Sequence, residues 1–360
     1  MEISKLTQAL ALGLLLSSNA LAEGDDLNRN FSVNGFIAGT SFHSPNNVSH
    51  PDVEVGIGAA YQVNDYLGIH GSVGVRDGVS SIDTLFVDLE SKVPDTAFSI
   101  NTQIGKNRSY IGLSNYARFY PAARQFIIPP QGIYWSSMDS LVGSSTGIRT
   151  TIKHESGVAF GIAKTSVDIH ESKPINESTF IPGKISSAGM TVYGLTYSSR
   201  SIYAGAQHIV YEFSNGMQGM FKDPHLTMNL HFIKIHDCVD EVAIEHMDSS
   251  SSLNKLDGNQ KKQEAYSVSY SRVLRENVKL NLNYNRTTYN HEKELAAMPN
   301  KNTTVEKIVG VQFANVGIKN FTVKLEKHFV DGTSWLTSDL NPNGMQGKWS
   351  MTAAQAIYEF

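Results

Sequence analysis

The most regular feature of the sequence is an alternation of apolar and polar residues that recurs along almost the whole chain. In the segment 277–290, Leu280, Leu282 and Tyr284 alternate with lysine and asparagine residues. A period of two places successive side chains on opposite faces of a β-strand, whereas the helical period of 3.6 residues is almost absent here. The sequence therefore predicts an all-β protein.

The alternating segments number sixteen, and most of them exceed the length of an ordinary strand. Strands in soluble proteins usually have about 5–6 residues, whereas a tilted strand that crosses a bilayer needs about 9–11. Length and period together predict a transmembrane antiparallel β-barrel. Segments 31–42, 82–91 and 201–213 have mixed faces, so fourteen or eighteen strands are alternatives. The predicted strands are 31–42, 51–63, 66–76, 82–91, 96–107, 147–155, 158–168, 188–199, 201–213, 225–236, 240–250, 263–274, 277–290, 303–314, 318–331 and 349–360.

The connections between these strands alternate between short turns and longer loops. Short turns such as 64–65 and 275–276 alternate with loops such as 169–187 and 291–302. Outer-membrane barrels have this asymmetry, with short periplasmic turns and longer extracellular loops. An even number of strands then places both termini on the periplasmic side. A barrel of this size is too wide for side chains to fill and leaves an aqueous lumen.

Composition limits the remaining classes of protein. The formal net charge is −4 and no basic cluster is interleaved with aromatic residues, so nucleic acid is not an expected partner. The mean hydropathy of −0.22 is that of a soluble protein, but a β-barrel hides its membrane segments because lipid-facing and lumen-facing residues alternate. Cys238 is the single cysteine, so no internal disulfide framework is expected.

The N-terminal segment 1–22 has the features of a secretory signal peptide. Lys5 precedes an apolar stretch at 9–16, and Ala20-Leu21-Ala22 offers a small-x-small cleavage site. The predicted organisation is therefore a signal peptide at 1–22 followed by one barrel domain at 23–360, exported to the cell outer membrane.

The longest loop, 107–146, carries the candidate chemistry. It is rich in aromatic residues and proline, which suits a loop packed inside a structure. Its charges between residues 106 and 138 are Lys106, Arg108, Arg118 and Arg124, with no carboxylate. If this loop enters the lumen, these cations line a constriction that favours anions. The alternative is that they pair with carboxylates or carbonyls and fix the loop in place.

Further charged residues on the predicted strands are candidates for the lumen wall opposite the loop. Cations predominate among them, and two carboxylates oppose them. The candidates are Arg76, Arg149, Lys153, Lys279 and Lys324, with Glu54 and Glu326.

Four stretches and the C-terminus carry a family resemblance. The stretches are Gly105–Arg108, Asn115–Pro121, Pro130–Trp135 and Asp331–Leu336, and the chain ends on an aromatic pair at Tyr358 and Phe360. In these features the chain resembles the Gram-negative outer-membrane porin superfamily, and more closely a porin-like group of gammaproteobacterial type. The last strand resembles the C-terminal signal of outer-membrane barrels.

The resemblance implies several properties beyond the strand pattern. It implies that the third loop, 107–146, folds into the lumen and narrows a channel for passive diffusion of small hydrophilic solutes, without a cofactor. It also implies a homotrimer in outer-membrane lipid and recognition of Phe360 by the barrel-insertion machinery. General porins place carboxylates on this loop, and because this loop has none from 107 to 138, an anion preference is expected instead of a cation preference.

Other functions are weighed against this interpretation. A barrel enzyme of the lipase or protease type needs a nucleophile beside a base, and no such motif is evident, so no catalytic residue and no enzymatic activity are predicted. His236 and Cys238 form the tightest pair of metal-ligating residues, but two ligands at a turn do not make a site. A plugged, surface-binding barrel is a further alternative, in which the third loop would close the lumen.

Overall fold

The computed structural model describes residues 30–44, 49–76, 79–109, 111–113, 121–128, 131–134, 144–167, 188–213, 225–251, 261–291, 301–332 and 347–360. The predicted signal peptide lies outside these residues. Within them, no helix has the length and hydrophobicity that crossing a membrane requires.

The described chain consists of sixteen strands and one single-turn helix. The strands are β1 (Phe31–His43), β2 (Ser49–Asn64), β3 (Leu67–Arg76), β4 (Val79–Lys92), β5 (Phe98–Arg108), β6 (Ser144–His154), β7 (Val158–Val167), β8 (Ala188–Ser198), β9 (Ile202–Phe213), β10 (His225–His236), β11 (Asp240–Ser251), β12 (Lys261–Arg275), β13 (Val278–His291), β14 (Lys301–Phe313), β15 (Phe321–Asp331) and β16 (Lys348–Glu359), and the helix is α1 (Gln131–Tyr134).

These strands form a closed barrel in which each strand pairs with its neighbours in the sequence. All the pairs are antiparallel, and β1 pairs with β16 from Phe36 opposite Glu359 to His43 opposite Thr352. The predicted antiparallel barrel of sixteen strands is therefore confirmed. Strands β4 and β6 begin three residues earlier than predicted, at Val79 and Ser144, because backbone pairing with the adjacent strand continues where the side-chain alternation stops.

The barrel wall has a polar inner face and an apolar outer face. On β13, Asn281, Asn283 and Asn285 are buried on the inside, whereas Tyr284 on the outside is 40% exposed. The same outward exposure recurs around the barrel, so the outside carries a broad apolar belt. Apolar surface of this extent is typical of a membrane-facing wall.

One sector of the inner wall is apolar instead of polar. There β8–β12 turn large apolar side chains such as Met190, Tyr211 and Phe232 into the barrel, where they bury Ile133 and Tyr134 of the third loop. Both faces of β9 are partly apolar for this reason, which accounts for the mixed pattern seen in that segment. The third loop therefore folds into the lumen, as the resemblance implied.

Candidate functional site

The third loop is attached to the inner wall at two places, and the first lies on β9 and β11. The Gly112 N–H donates to Oε1 of Gln207 at 2.9 Å, and the Leu113 N–H donates to Oε1 of Glu245 at 2.9 Å. The Tyr134 hydroxyl donates to the same Glu245 oxygen. We call these five residues the first anchor. They join the start of the loop and its helix α1 to a single buried carboxylate.

The first anchor depends on a glycine. Gly112 has a φ of 62°, which is the left-handed region that glycine tolerates best. A Cβ at this position would also collide with the hydroxyl of Tyr134 and lie 3.0 Å from Oε1 of Glu245. The chain can approach the carboxylate only because this residue has no side chain.

The second anchor lies on β15 and holds the middle of the loop. Nζ of Lys324 donates to the carbonyl of Pro121 at 2.6 Å and also to the carbonyl of Arg124. The Ile127 N–H donates to Oε1 of Glu326 at 2.7 Å. Lys324 and Glu326 are 1% and 3% exposed, so water does not compete for these bonds. A cation and an anion two residues apart on one strand thus bind carbonyl and N–H groups of the same loop segment.

A buried cluster of ionisable residues on the inner wall contacts the second anchor. His328 lies between two carboxylates, with Nδ1 2.9 Å from Oε1 of Glu306 and Nε2 3.2 Å from Oε2 of Glu326. Asn285 donates to Glu306 at 3.2 Å. Buried charges are retained only where partners satisfy them. His328 therefore fixes the orientation of the Glu326 carboxylate that receives the loop.

The same loop segment also contacts β2 and β16. Arg124 lies 3.8 Å from the Glu54 carboxylate on β2, and Ile127 and Ile128 pack on Met351 and Ala353 of β16. The loop thus runs from the β9–β11 wall to the β14–β2 wall. The described parts of the loop therefore contact one side of the wall, from β9 round to β2, and neither anchor lies on β3–β7.

Four of the predicted site residues meet at the second anchor. They are the loop residue Arg124 and the wall residues Lys324, Glu326 and Glu54. The structure places each of them on the loop or on the inner wall, as the sequence predicted. Their contacts are with loop backbone and with one another. This is the arrangement of the alternative hypothesis, in which the charges fix the loop.

Of the other three loop cations, two lie elsewhere and one is not described. The register pairs Lys106 with Leu85 and Thr146 on the outward face. Lys106 lies there because it continues the alternation of β5. Its predicted place in the constriction is corrected accordingly. Arg108 forms an ion pair with Asp83 at the end of β5. Arg118 is outside the described residues.

Three of the remaining wall candidates lie on the inner face. The register sets Arg149 opposite Gln103, and Lys153 opposite Ser99, on the inner face of β5 and β6. Lys279 pairs with Gln312 on the inner face of β13 and β14. The backbone of Arg76 lies opposite Glu54, and its side chain is outside the described set.

Sequence reasoning missed the residues that hold the first anchor and the supporting cluster. Glu245 shares the inward phase of its strand with Ala243 and Met247, so the alternation could have identified it as an inward carboxylate. Glu306 and His328 could have been found in the same way. Within the part of the chain that the structure describes, no group of three or more His, Cys, Asp or Glu residues is placed to hold a metal ion.

Comparison with known proteins finds similarity in structure alone. No protein-family model matches the sequence, and no curated protein matches it. Among solved structures, Salmonella typhi OmpF in complex with daunomycin has a TM-score of 0.63 at 15% identity, covering 94% of this chain and 99% of that chain. The anion-selective porin from Comamonas acidovorans has a TM-score of 0.62 at 10% identity, covering 92% and 99%.

OmpT expressed in the outer membrane of Vibrio cholerae is similar as well, with a TM-score of 0.62 at 11% identity over 92% of this chain and 97% of that chain. At these identities the likeness concerns the fold. The chain has the porin-like β-barrel fold.

Proposed function

We propose that this protein is an outer-membrane porin, a channel through which small hydrophilic solutes diffuse passively. The observation that carries the proposal is the third loop, which two anchors hold inside the lumen of a sixteen-strand barrel. A barrel of this width leaves an aqueous interior. A loop fixed inside that interior narrows it.

The two faces of the wall support a membrane location. The outward face exposes Leu195 at 55% and Ile104 at 47%, whereas the inward face of β5 and β6 carries Asn101, Gln103 and Arg149. Hydrocarbon suits the first set and water suits the second. The proposal includes export by a cleaved signal peptide at 1–22, insertion directed by Phe360, and a homotrimer.

The charge preference belongs to the same proposal. Arg124, Arg108 and Lys324 have carboxylate or carbonyl partners, so they contribute less to selectivity than their number suggests. Arg149 and Lys153 add two positive charges to the inner face of β6 whatever their contacts are, and we propose that the resulting anion preference is weak.

Planar-bilayer recording tests both the channel function and its charge preference. The refolded mature chain should give stepwise conductance, and its reversal potential in a KCl gradient should show a small preference for chloride. Replacing Arg149 and Lys153 by glutamine should shift the reversal potential towards potassium. The matched control is Lys164→Gln, because the register places Lys164 opposite the outward-facing Ile148.

Two results would contradict the proposal. A folded barrel without conductance would indicate that the loop closes the lumen, as in a surface-binding barrel. Hydrolysis of phospholipid or peptide by the purified barrel would indicate an enzyme, since the proposal assigns no catalytic step to this chain.

A further inference from the structure

The outer face of β9–β12 becomes polar at a depth where the outer face of β2 is apolar. An apolar belt about 25 Å tall needs about five successive outward positions on a tilted strand. Strand β2 supplies them, with Val53, Val55, Ile57, Ala59 and Tyr61. On β10, Ile233 and Ile235 separate the outward His231 from the turn that follows the strand, and on β11 Val242 and Ile244 separate His246 from the same turn.

Hydrogen bonds join the polar side chains across these strands. Asn229 lies between two partners, with Oδ1 2.7 Å from Nδ1 of His208 and Nδ2 donating to Oδ2 of Asp248 at 2.7 Å. Nε2 of His246 lies 3.6 Å from Oε1 of Glu264 on β12. We call this set the outer polar patch, which consists of His208, Asn229, His231, His246, Asp248, Glu264 and Tyr266.

The same strands are apolar on the inside. Leu230 and Phe232 of β10 and Met247 of β11 point into the barrel and belong to the cluster that buries Ile133 and Tyr134 of the third loop. This sector therefore reverses the pattern of β13, where asparagines face inward. The third loop covers the apolar inner half of the sector, and the polar outer half needs a cover of its own.

Lipid is an unfavourable neighbour for the outer polar patch. The side chains of Glu264 and His246 are 48% and 31% exposed, and polar groups are costly in hydrocarbon. Asp248 and Glu264 lie directly opposite each other in the register, with Lys262 and Arg286 at diagonal positions. The patch thus presents charges of both signs together with exposed donors and acceptors, which suits the polar surface of another protein.

We propose that the outer polar patch is the face through which this chain contacts a second copy of itself. The β9–β10 half of the patch carries His208 and His231, and the β11–β12 half carries Asp248 and Glu264. In a closed ring each copy sets one half against the other half of its neighbour. Histidine rings of one copy then meet carboxylates of the next, and every copy has both halves covered. The inference rests on the proposed homotrimer and assigns its contact face.

The variant Asp248→Leu with Glu264→Leu tests the face, because contact with protein and contact with lipid predict opposite results. The complex is extracted from the outer membrane in mild detergent, and its mass is measured by sedimentation. The variant should be a folded barrel whose monomer fraction is at least about tenfold that of the wild type, since charged contacts between subunits are lost. If the patch faces lipid instead, leucine raises the stability of the barrel and leaves the mass unchanged, which would overturn the proposal.

Thr102→Leu with Thr150→Leu is the matched control. The two hydroxyls are 3.2 Å apart and form an outward polar pair on β5 and β6, away from the patch in the ring of strands. The control should keep the mass of the wild type. Loss of assembly in the control alone would overturn the proposal and would place the contact on β5–β6.

Disulfide trapping in the membrane gives an independent measurement. In a Cys238→Ser background, His208→Cys and Glu264→Cys together should give linked dimers and trimers on oxidation. The two positions are three strands apart, about 14 Å, which is too far for a disulfide within one chain. Absence of these products, together with a leucine variant that still assembles, would overturn the proposal. A wild-type chain that is monomeric in its membrane, or a complex whose mass includes a different protein, would also overturn it.

Failure of the porin function looks different. In that case the folded barrel would not conduct. Failure of the contact face leaves a conducting barrel whose assembly does not depend on the outer polar patch.

Discussion

At the scale of single residues, Glu245 illustrates how one buried carboxylate organises a long loop. It is 4% exposed and accepts from a backbone N–H at the start of the loop and from a hydroxyl on helix α1. A buried carboxylate without such donors is strongly unfavourable. The loop and the carboxylate therefore stabilise each other, and either one alone would be destabilising.

Tyr134→Phe tests this dependence. The variant leaves Glu245 with the Leu113 N–H and removes one hydrogen bond to a charged group, so the free energy of unfolding should fall by about 1.5–3 kcal/mol. Thermal unfolding in detergent, followed by the heat-modified mobility of the barrel on gels, measures the change. Tyr197→Phe is the control, because Tyr197 lies on the exposed outer face. Equal effects of the two substitutions would refute the anchoring role.

Asp237, in the turn between β10 and β11, gives a pH-dependent prediction. Its Oδ1 accepts from the N–H groups of Val239 and Asp240, both at 2.7 Å. The backbone N–H groups of Asp240 and Val239 lower the pKa of this exposed carboxyl. Because the folded-state pKa is depressed, the stabilisation is present at neutral pH and is lost as the pH falls below about 3.9 and through the folded value.

The measurement compares the wild-type chain with Asp237→Ala. The difference in unfolding temperature should be clear at pH 7 and should shrink at strongly acidic pH. Asp237→Asn keeps an acceptor oxygen and should lose less at pH 7. A difference that does not change with pH would mean that the charge of Asp237 plays no part in the turn.

The sequence could assign side chains to a face of the barrel but could not identify their partners. The inward phase of Lys324 and Glu326 follows from the alternation of β15 alone. Their partners are loop backbone groups about 200 positions away in the chain, as with Ile127 and Glu326, which are separated by 199 residues. No local pattern encodes such a contact, so the sequence leaves open whether these charges select ions or fix the loop in place.

At the scale of strands, the contact between β1 and β16 completes the barrel. The Gly35 N–H donates to the carbonyl of Phe360 at 2.9 Å, and the Phe360 N–H donates back to the carbonyl of Gly35 at 3.0 Å. A Cβ on Gly35 would lie 2.5 Å from Cζ of Phe360 and 2.7 Å from the carbonyl of Gly56. The terminal aromatic ring therefore occupies the space that a side chain at this position would need.

Gly35→Val should therefore destabilise the barrel by about 1–3 kcal/mol, the usual cost of overpacking. Gly39→Val is the matched control on the same strand and face, because nothing lies within 4 Å of its Cβ position. Urea-induced unfolding in lipid vesicles measures both variants. Equal midpoints would show that the ring and the glycine are not packed together.

The strand scale is also where the sequence is most informative. Strands that must present one face to lipid and one to water carry a long and uninterrupted alternation, so all sixteen could be counted. Their ends were harder to place, since β2 begins at Ser49 and not at residue 51. Near the rim both faces are polar, and only the backbone ladder continues.

At the scale of the whole molecule, the loop acts as a bar held along one side of the lumen, because β11 and β15 are four strands apart in a ring of sixteen. Glu245 and Lys324 belong to different anchors, and Gln125 of the same loop also donates to Ser271 of β12. The aromatic content of the loop indicated that it packs inside the barrel. Its route along the inner wall could not be predicted, because polar contacts with distant strands determine it.

Glu245→Leu and Lys324→Met test the bar as a unit. Each single variant should raise single-channel conductance slightly, because the other anchor still holds the loop. The double variant should raise conductance by more than the sum of the two single effects, since contacts in one unit are not additive. Strict additivity in planar bilayers would show that the two anchors act independently.

The pairing of Gly35 with Phe360 also bears on biogenesis. The bonds that seal the cylinder join β1 to the segment after β16, so a ribosomal product that stops before β16 can never complete the circle. Such a fragment keeps two open sheet edges, which favour aggregation. Sealing thus distinguishes a finished barrel from an interrupted one, because only the interrupted one keeps open edges that another strand could pair with.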